Sequence, residues 1–288
     1  MCLAAIAIGQ SQRFPWVLAS NRDEYFRRPA MPLAWWRPPG GGAAVLSGRD
    51  LTAGGTWLGL NANGCLALLT NVREPLLAPA ALPSRGQLVL QWLRLQNHGR
   101  AEALGPDPAH TLHQLARVPR HGFNLFTAHL AEVGTPGRPP PSGRWLSNRP
   151  EPVQGHVDAG VFGLSNATWD TPWPKVQRLK QRLADALDAR VDDQALLDAA
   201  FSALADPAPA ADAQLPRTGV PLARERQLSS AFIRIESEQA GTYGTRCSTV
   251  VLVEQLGTRR QVRVVERSFD ESGAISGQQE KRLDLIAR

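Results

Sequence analysis

The chain is 288 residues long and 43% hydrophobic, enough to pack one large domain or two small ones. No run approaches the ~20 apolar residues that cross a bilayer, and the apolar start lacks the basic flank and small-residue cleavage site of a secretory leader, so the expected compartment is the cytoplasm. The formal charge of +6 comes mainly from arginines dispersed along the chain, which argues against a nucleic-acid surface and suits at most the attraction of a small anionic ligand.

The first part of the chain predicts short strands at "LAAIAI", "WVLAS", "AAVLS", "TWLGLN" and "CLALLTN", separated by the turn material "RPPGGG", "TAGG" and "NANG". The runs flanking "NANG" read as a hairpin, since Asn and Gly both accept positive φ. From Ser84, "SRGQLVLQWLRLQNHG" has a capping serine, helical apolar spacing and a glycine stop, and "DPAHTLHQLARV" predicts a second helix. Strands resume at "FNLFTAHL" and "GRWLSN", with the Pro-rich "EVGTPGRPPPSG" as the hairpin tip between them.

After "GVFGLSNAT" come helices at "WPKVQRLKQRLADAL" and "DQALLDAAFSAL", then a long Ala/Pro-rich loop, 206–224, with the character of a lid. The last third predicts strands at "SAFIRIES", "CSTVVLVEQ" and "RQVRVVERSF", the last two joined as a hairpin around "LGTRR". Strands, helices, strands, helices, strands suits an α+β domain of two antiparallel sheets covered by helices, better than alternating βαβ units.

Three scattered cysteines, Cys2, Cys65 and Cys247, form neither a disulfide framework nor a zinc site. Cys65 and Cys247 fall in strand candidates and read as inert buried thiols. Cys2 stands directly before the first strand. By itself it need be no more than a small residue that permits removal of Met1, or a small buried hydrophobe. Once Met1 is removed, however, a thiol and a free α-amine share one residue. The next strand runs into Asn21, Arg22, Asp23 and Glu24, four polar residues where packing should continue. They read either as a surface turn or as a site in which Asp23 holds the Cys2 ammonium while Arg22 favours thiolate. Neighbours in extended chain point to opposite faces, so Arg22 and Asp23 cannot both face Cys2 unless the chain turns there.

The segments "MC", "ASNRDEYFRRP", "GGTWLGLNANGCLALLTN", "GFNLF", "GLSNATWDTPWPK" and "YGTRCSTVVLV", in that order, resemble the transport and Golgi organisation protein 2 family, also called NRDE proteins. The resemblance runs nearly end to end, with the Pro-rich segment near Pro140 and the loop after Asp206 outside it. That family is in turn similar to the cysteine N-terminal-nucleophile hydrolases of the penicillin V and bile-salt acylase group. The resemblance implies one domain over 1–288 with a four-layer αββα sandwich. It also implies a catalytic set of Cys2, Arg22 with Asp23, Asn71 in "LLTN", Asn166 in "GLSN" and Arg246 in "YGTRC". Arg22 and Asp23 are adjacent here and three apart in the hydrolases, which leaves Asp23 and Glu24 both as candidates to contact the Cys2 amine.

On that pattern the α-amine, with an ordinary pKa near ~8, takes the thiol proton, and the thiolate attacks an amide or thioester carbonyl. Asn71 and Asn166 would meet the oxyanion, while Arg246 would stabilise thiolate or bind a substrate carboxylate or phosphate. Asn21, Glu24, Trp169 and Trp173 are the candidate ligand-binding residues around them. Hydrolysis of this kind needs no cofactor. The resemblance also implies an alternative, a non-catalytic carrier of haem or of an acyl-CoA or lipid ligand in the same pocket. The chain has no Cys-Pro or Cys-x-x-Cys-His haem motif, which leaves the Cys2 thiolate or a histidine as haem ligands. His110 and His113 share a helix face, but no carboxylate or cysteine completes a metal set, and the glycine runs lack the Gly-Lys-Ser/Thr of a phosphate loop.

Overall fold

The structure, a computed structural model, describes residues 2–74, 82–96, 108–131, 142–237, 239 and 241–286. The expected removal of Met1, the Pro-rich tip at 132–141 and the glycine stop at Gly99 lie outside these residues. No helix among the described residues is long and apolar enough to cross a membrane.

The unbroken apolar run at the start forms β1 (Cys2–Ile8), buried along its whole length as such a run requires. It pairs antiparallel with β2 (Trp16–Tyr25) on one side and β10 (Gly160–Leu164) on the other. Beyond β2 the sheet continues through β12 (Tyr243–Leu256) and β13 (Arg259–Phe269) to the edge strand β14 (Ile275–Ile286), while the two-residue β11 (Arg234–Ile235) pairs with β12. The second sheet is a meander of β3 (Ala30–Trp36), β4 (Val45–Asp50), β5 (Leu58–Asn61), β6 (Cys65–Asn71), β7 (Phe123–His129), β8 (Gly143–Ser147) and β9 (Val153–Val157). The "NANG" hairpin joins β5 to β6, with Gly64 at φ +84° and the Asn61 carboxamide oxygen accepting from the Asn63 and Cys65 amides.

Strand alternation divides the core. Ala4, Ile6 and Ile8 pack with Leu18, Leu66, Leu68 and Phe126 between the sheets, whereas Leu3, Ala5 and Ala7 pack outward against α3 (Pro174–Asp188) and α4 (Asp193–Leu204). The second sheet is covered by α1 (Gln87–Leu95) and α2 (Pro108–Arg117), through Leu88, Val89, Leu93 and Leu112. The layers are therefore αββα, two antiparallel sheets face to face with helices outside, the α+β order expected from the sequence.

Four strands escaped the sequence reading, all of them at sheet edges, and β10 among them is a five-residue strand containing Gly160 and Gly163. β3 carries Pro32 and a register shift between Met31 and Ala34, and is tolerated because it lies at a sheet edge. β9 and β14 are also edge strands, largely exposed and polar, and so lack the apolar alternation by which a strand is recognised. "SAFIRIES" keeps only the two residues of β11. The 206–224 lid is tied down instead of hanging free: it contains a single 3₁₀ turn, Asp212–Gln214, and enters α5 (Leu222–Gln227). Arg226 forks onto Asp212, Ala210 donates to Ser229 Oγ at 2.9 Å, and Thr218 donates to Glu225 at 3.1 Å.

One close approach sets the mouth of the sandwich. A Cβ at Gly55 would lie 2.5 Å from the Gly86 carbonyl carbon, so the β4–β5 loop and the start of α1 meet backbone to backbone. Gly55→Ala is expected to lower stability by ~1–3 kcal/mol as an overpacked contact, measured by urea unfolding; an unchanged midpoint would show that this junction yields.

Candidate functional site

Cys2 heads β1, and its register partner on β2 is Arg22, which pairs in turn with Cys247 on β12. Paired residues share a face, so the Cys2 thiol and the Arg22 guanidinium lie together at the edge of the inter-sheet space. β2 does not turn after the polar run begins; it stays extended through Tyr25. Asp23 consequently falls on the helix side, one residue past the final β1–β2 pair and thus beyond the amine end of Cys2. Arg22 and Asp23 line the same cavity from opposite faces of β2. Together with Cys2, Glu24, Asn71 and Arg85 they line a cavity of about 120 Å³.

Each of these side chains has a fixed environment. Arg22 is 6% exposed, stacks on Trp57 with its guanidinium carbon 4.3 Å from the ring centre, and lies 3.6 Å from Asp50. Burial would raise the Asp50 carboxyl, but the 2.8 Å hydrogen bond from Arg28 and the amides of Thr52 and Ala53 hold it below the usual carboxylate range. Asp23, 1% exposed, accepts from Thr245 Oγ1 at 2.8 Å while its backbone carbonyl accepts from the Tyr243 hydroxyl at 3.2 Å. Burial raises its carboxyl against the pull of Lys175, Thr245 and Arg22. Burial also raises the Cys2 thiol, with Asp23 and Glu24 adding and Arg22 opposing.

Asn71 ends β6 and lines the cavity, and its carboxamide makes no hydrogen bond among the described residues. Asn166 stands behind it: its NH2 donates to the Asn71 carbonyl at 2.8 Å, and its own carbonyl accepts from the Arg73 amide at 2.7 Å. Ser165 next to it donates to the Cys2 carbonyl at 3.2 Å. The "LSN" segment thus braces both strands that carry the site. Glu24 reaches the cavity, accepting from the Tyr25 amide at 2.9 Å.

Four other expected residues stand elsewhere. Asn21 is fully buried on the helix side, where its NH2 donates to the Leu204 and Ala231 carbonyls and its oxygen accepts from Ser248 at 2.6 Å. It anchors the sheet to α4 and leaves no polar atom for a ligand. Arg246 is the extra residue of a β-bulge between Thr245 and Cys247, and its Nη1 donates to the Tyr25, Phe26 and Arg28 carbonyls at 2.9 to 3.1 Å. It clamps the chain after β2 and does not line the Cys2 cavity. Trp169 stacks between Phe126 and Trp145, with ring centres 5.4 and 5.9 Å away, against the inter-sheet core. Trp173 precedes α3 under the Arg73 guanidinium, 4.8 Å from it. Cys65 and Cys247 are buried thiols, and burial with Glu266 nearby raises Cys247 well above its ordinary value. His110 and His113 are exposed, and no group of three or more metal-ligating side chains occurs among the described residues.

Several members of the site were missed from sequence. Asp50, Trp57 and Arg85 come from loops and strand ends with no pattern of their own. Lys175 had a signal: it shares the i, i+4, i+8 stripe of Leu179, Leu183 and Leu187, which is the buried face of α3. Its ammonium is 2% exposed, donates to the Leu228 carbonyl at 2.9 Å, and is pushed down to about 8 by burial, with Asp23 opposing. Beside it, Arg73 and Glu225 form a buried ion pair that docks α5 onto the chain just after Asn71.

The sequence model of the family described as "Transport and Golgi organisation 2" matches residues 1–271. The transport and Golgi organization protein 2 homolog of Bos taurus is 34% identical over 267 residues, spanning 88% of this chain and 86% of that protein. The Mus musculus homolog is 31% identical over 261 residues with the same coverage. Among solved structures, a mutant conjugated bile acid hydrolase from Clostridium perfringens aligns with 98% of this chain and 96% of its own, at 9% identity and a TM-score of 0.42.

Two titrations check the electrostatics. Alkylation of Cys2 followed by peptide mass is expected to show a midpoint above the ~8.5 of a free cysteine, lowered by Asp23→Asn and raised by Arg22→Gln; one common midpoint would refute the assigned causes. Lys175 titrates at about 8 in the fold and near ~10.4 unfolded, so the folded chain loses this proton first. Stability from this group therefore rises with pH between those values and is lost as pH falls through the folded one. Lys175→Met should abolish that slope in denaturant titrations across the window.

Proposed function

Because the chain belongs to the transport and Golgi organisation 2 family, with Cys2 at the head of a central strand in an αββα sandwich, we propose that it is a cysteine N-terminal-nucleophile hydrolase of a small amide or thioester. The observation that carries the reading is the convergence of Cys2, Arg22, Asp23 and Asn71 on one cavity. In this mechanism removal of Met1 exposes the Cys2 amine, and Asp23, beyond the end of β1, holds it. The amine takes the thiol proton, and Arg22 beside the sulfur stabilises the thiolate. The thiolate adds to the carbonyl, and the oxyanion is met by the Asn71 carboxamide, which Asn166 holds in place through the Asn71 backbone.

Collapse of the adduct breaks the C–N or C–S bond as the amine returns its proton to the leaving group, forming acyl-Cys2. A water molecule, deprotonated by the same amine, then releases the acid and restores the thiol. The described cavity of about 120 Å³ is smaller than the ~300–1,000 Å³ of pockets for drug-sized ligands, which favours a small acyl group at Cys2 over a haem carrier. Three free cysteines suit a reducing, cytoplasmic setting.

Intact mass of the cellular protein is expected to lack Met1, and incubation with a panel of small thioesters to add one acyl mass on the Cys2 peptide. Cys2→Ala should show no adduct, and Asn71→Ala should slow its formation by ~10²- to 10³-fold. Retained Met1, or no adduct with any member of the panel, would leave the carrier reading in its place.

A further inference from the structure

Next to the Cys2 cavity lies a second one of about 350 Å³, lined by Arg22, Trp57, Arg246, Glu266, Phe269 and Ser276 among others. Arg22 and Trp57 line both cavities, so the guanidinium stacked on the indole is the partition between them. The bulge after Thr245 brings Arg246 next to Cys247, the cross-strand partner of Arg22, and so gathers two guanidinium groups at one wall.

These two cations are poorly compensated. Arg22 shares Asp50 with Arg28 and meets it only at 3.6 Å, while its Nη1 is buried without a partner. Arg246 has no carboxylate within ion-pair distance among the described residues. Its Nη1 is spent on three carbonyls, its Nε is buried without a partner, and its Nη2 makes no hydrogen bond there. Burial and the repulsion of Arg22 both depress the Arg246 guanidinium. The one carboxyl in the wall among the described residues, Glu266, is held by the Leu33 amide at 2.7 Å and Thr249 Oγ1 at 3.2 Å, and hydrogen-bonds neither arginine. Like charges held together in a low-dielectric wall, with N–H groups to spare, are relieved by an anion, and the planar guanidinium matches a carboxylate or phosphate.

We propose that the second cavity is an anion subsite, receiving a carboxylate or phosphate on an arm of the substrate whose carbonyl lies at Cys2. The subsite stands on the two arginines, and only its link to a scissile carbonyl rests on the hydrolase reading. Its volume accommodates such a group with a short arm, and Arg22 would then sense both ends of the substrate, thiolate on one side and anion on the other.

Calorimetric titration of the full chain with succinate, inorganic phosphate and neutral succinamide reads the subsite, and Cys2→Ala reads it without reaction. Succinate or phosphate is expected to bind the parent and Cys2→Ala equally, and succinamide to bind neither; the tighter of the two anions identifies the group. Ser276→Asp, at an exposed position in the wall, is expected to weaken the anion by about tenfold or more without changing thermal unfolding. Equal binding of succinamide, absence of anion binding, or indifference to Ser276→Asp overturns the proposal. Anion binding by a chain that never forms acyl-Cys2 leaves the subsite standing without the hydrolase. An adduct that neither phosphate nor Ser276→Asp slows leaves the hydrolase without the subsite.

Discussion

The register of Cys2 against Arg22 governs the whole arrangement. A one-residue slip of β1 would send Cys2 toward the helix layer and its apolar neighbours Ala4, Ile6 and Ile8 out of the inter-sheet core. The packing of an entire strand therefore holds one sulfur beside one guanidinium. The same pairing puts Asp23 one residue past the last described β1–β2 pair, and both faces of β2 serve one cavity there. A turn that would put Arg22 and Asp23 on one face does not occur, since β2 stays extended through Tyr25 and both still line one cavity.

Charge is buried around this point at a density that packing alone does not explain. Asp23, Lys175, Arg73 and Glu225 are each nearly or wholly removed from solvent, and burying an ionised group is unfavourable unless hydrogen bonds or opposite charges compensate. Here the compensation is mutual: Thr245 and Lys175 support Asp23, the Leu228 carbonyl holds Lys175, and Arg73 takes Glu225. The chain over 206–224, expected to be a lid, leads into one side of this network, since Glu225 of α5 accepts from Thr218 and pairs with Arg73. Groups perturbed by burial, as Asp23, Arg73 and Lys175 are here, concentrate at functional sites.

The site also separates residues that touch the cavity from residues that hold those in place. Asn71 lines the cavity, and Asn166, an equal candidate by sequence, spends its NH2 on the Asn71 backbone. Arg246 similarly clamps three carbonyls of the segment that carries Glu24 and Arg28. An amide or guanidinium in a motif is legible as a residue type, but whether its N–H groups are free or occupied depends on which carbonyls the fold brings within reach.

Sequence by itself determined the layered architecture and the place of Cys2 before the first strand. Unbroken apolar runs, helical spacing and turn residues are local patterns, and from them follow the central strands, the "NANG" hairpin, the helices and the position of Cys2 at a strand head. It did not reveal β3, β9, β10 and β14, because an edge strand is held by hydrogen bonds to its neighbour and needs no fully buried face of its own. Only the tertiary structure decided that Asn21 is an anchor with every polar atom used, that Lys175 on an otherwise apolar stripe lies behind Asp23, and that Arg22 divides two cavities. Those outcomes depend on contacts between residues as far as 227 positions apart, and no local pattern encodes which of a residue's hydrogen bonds such a contact will consume.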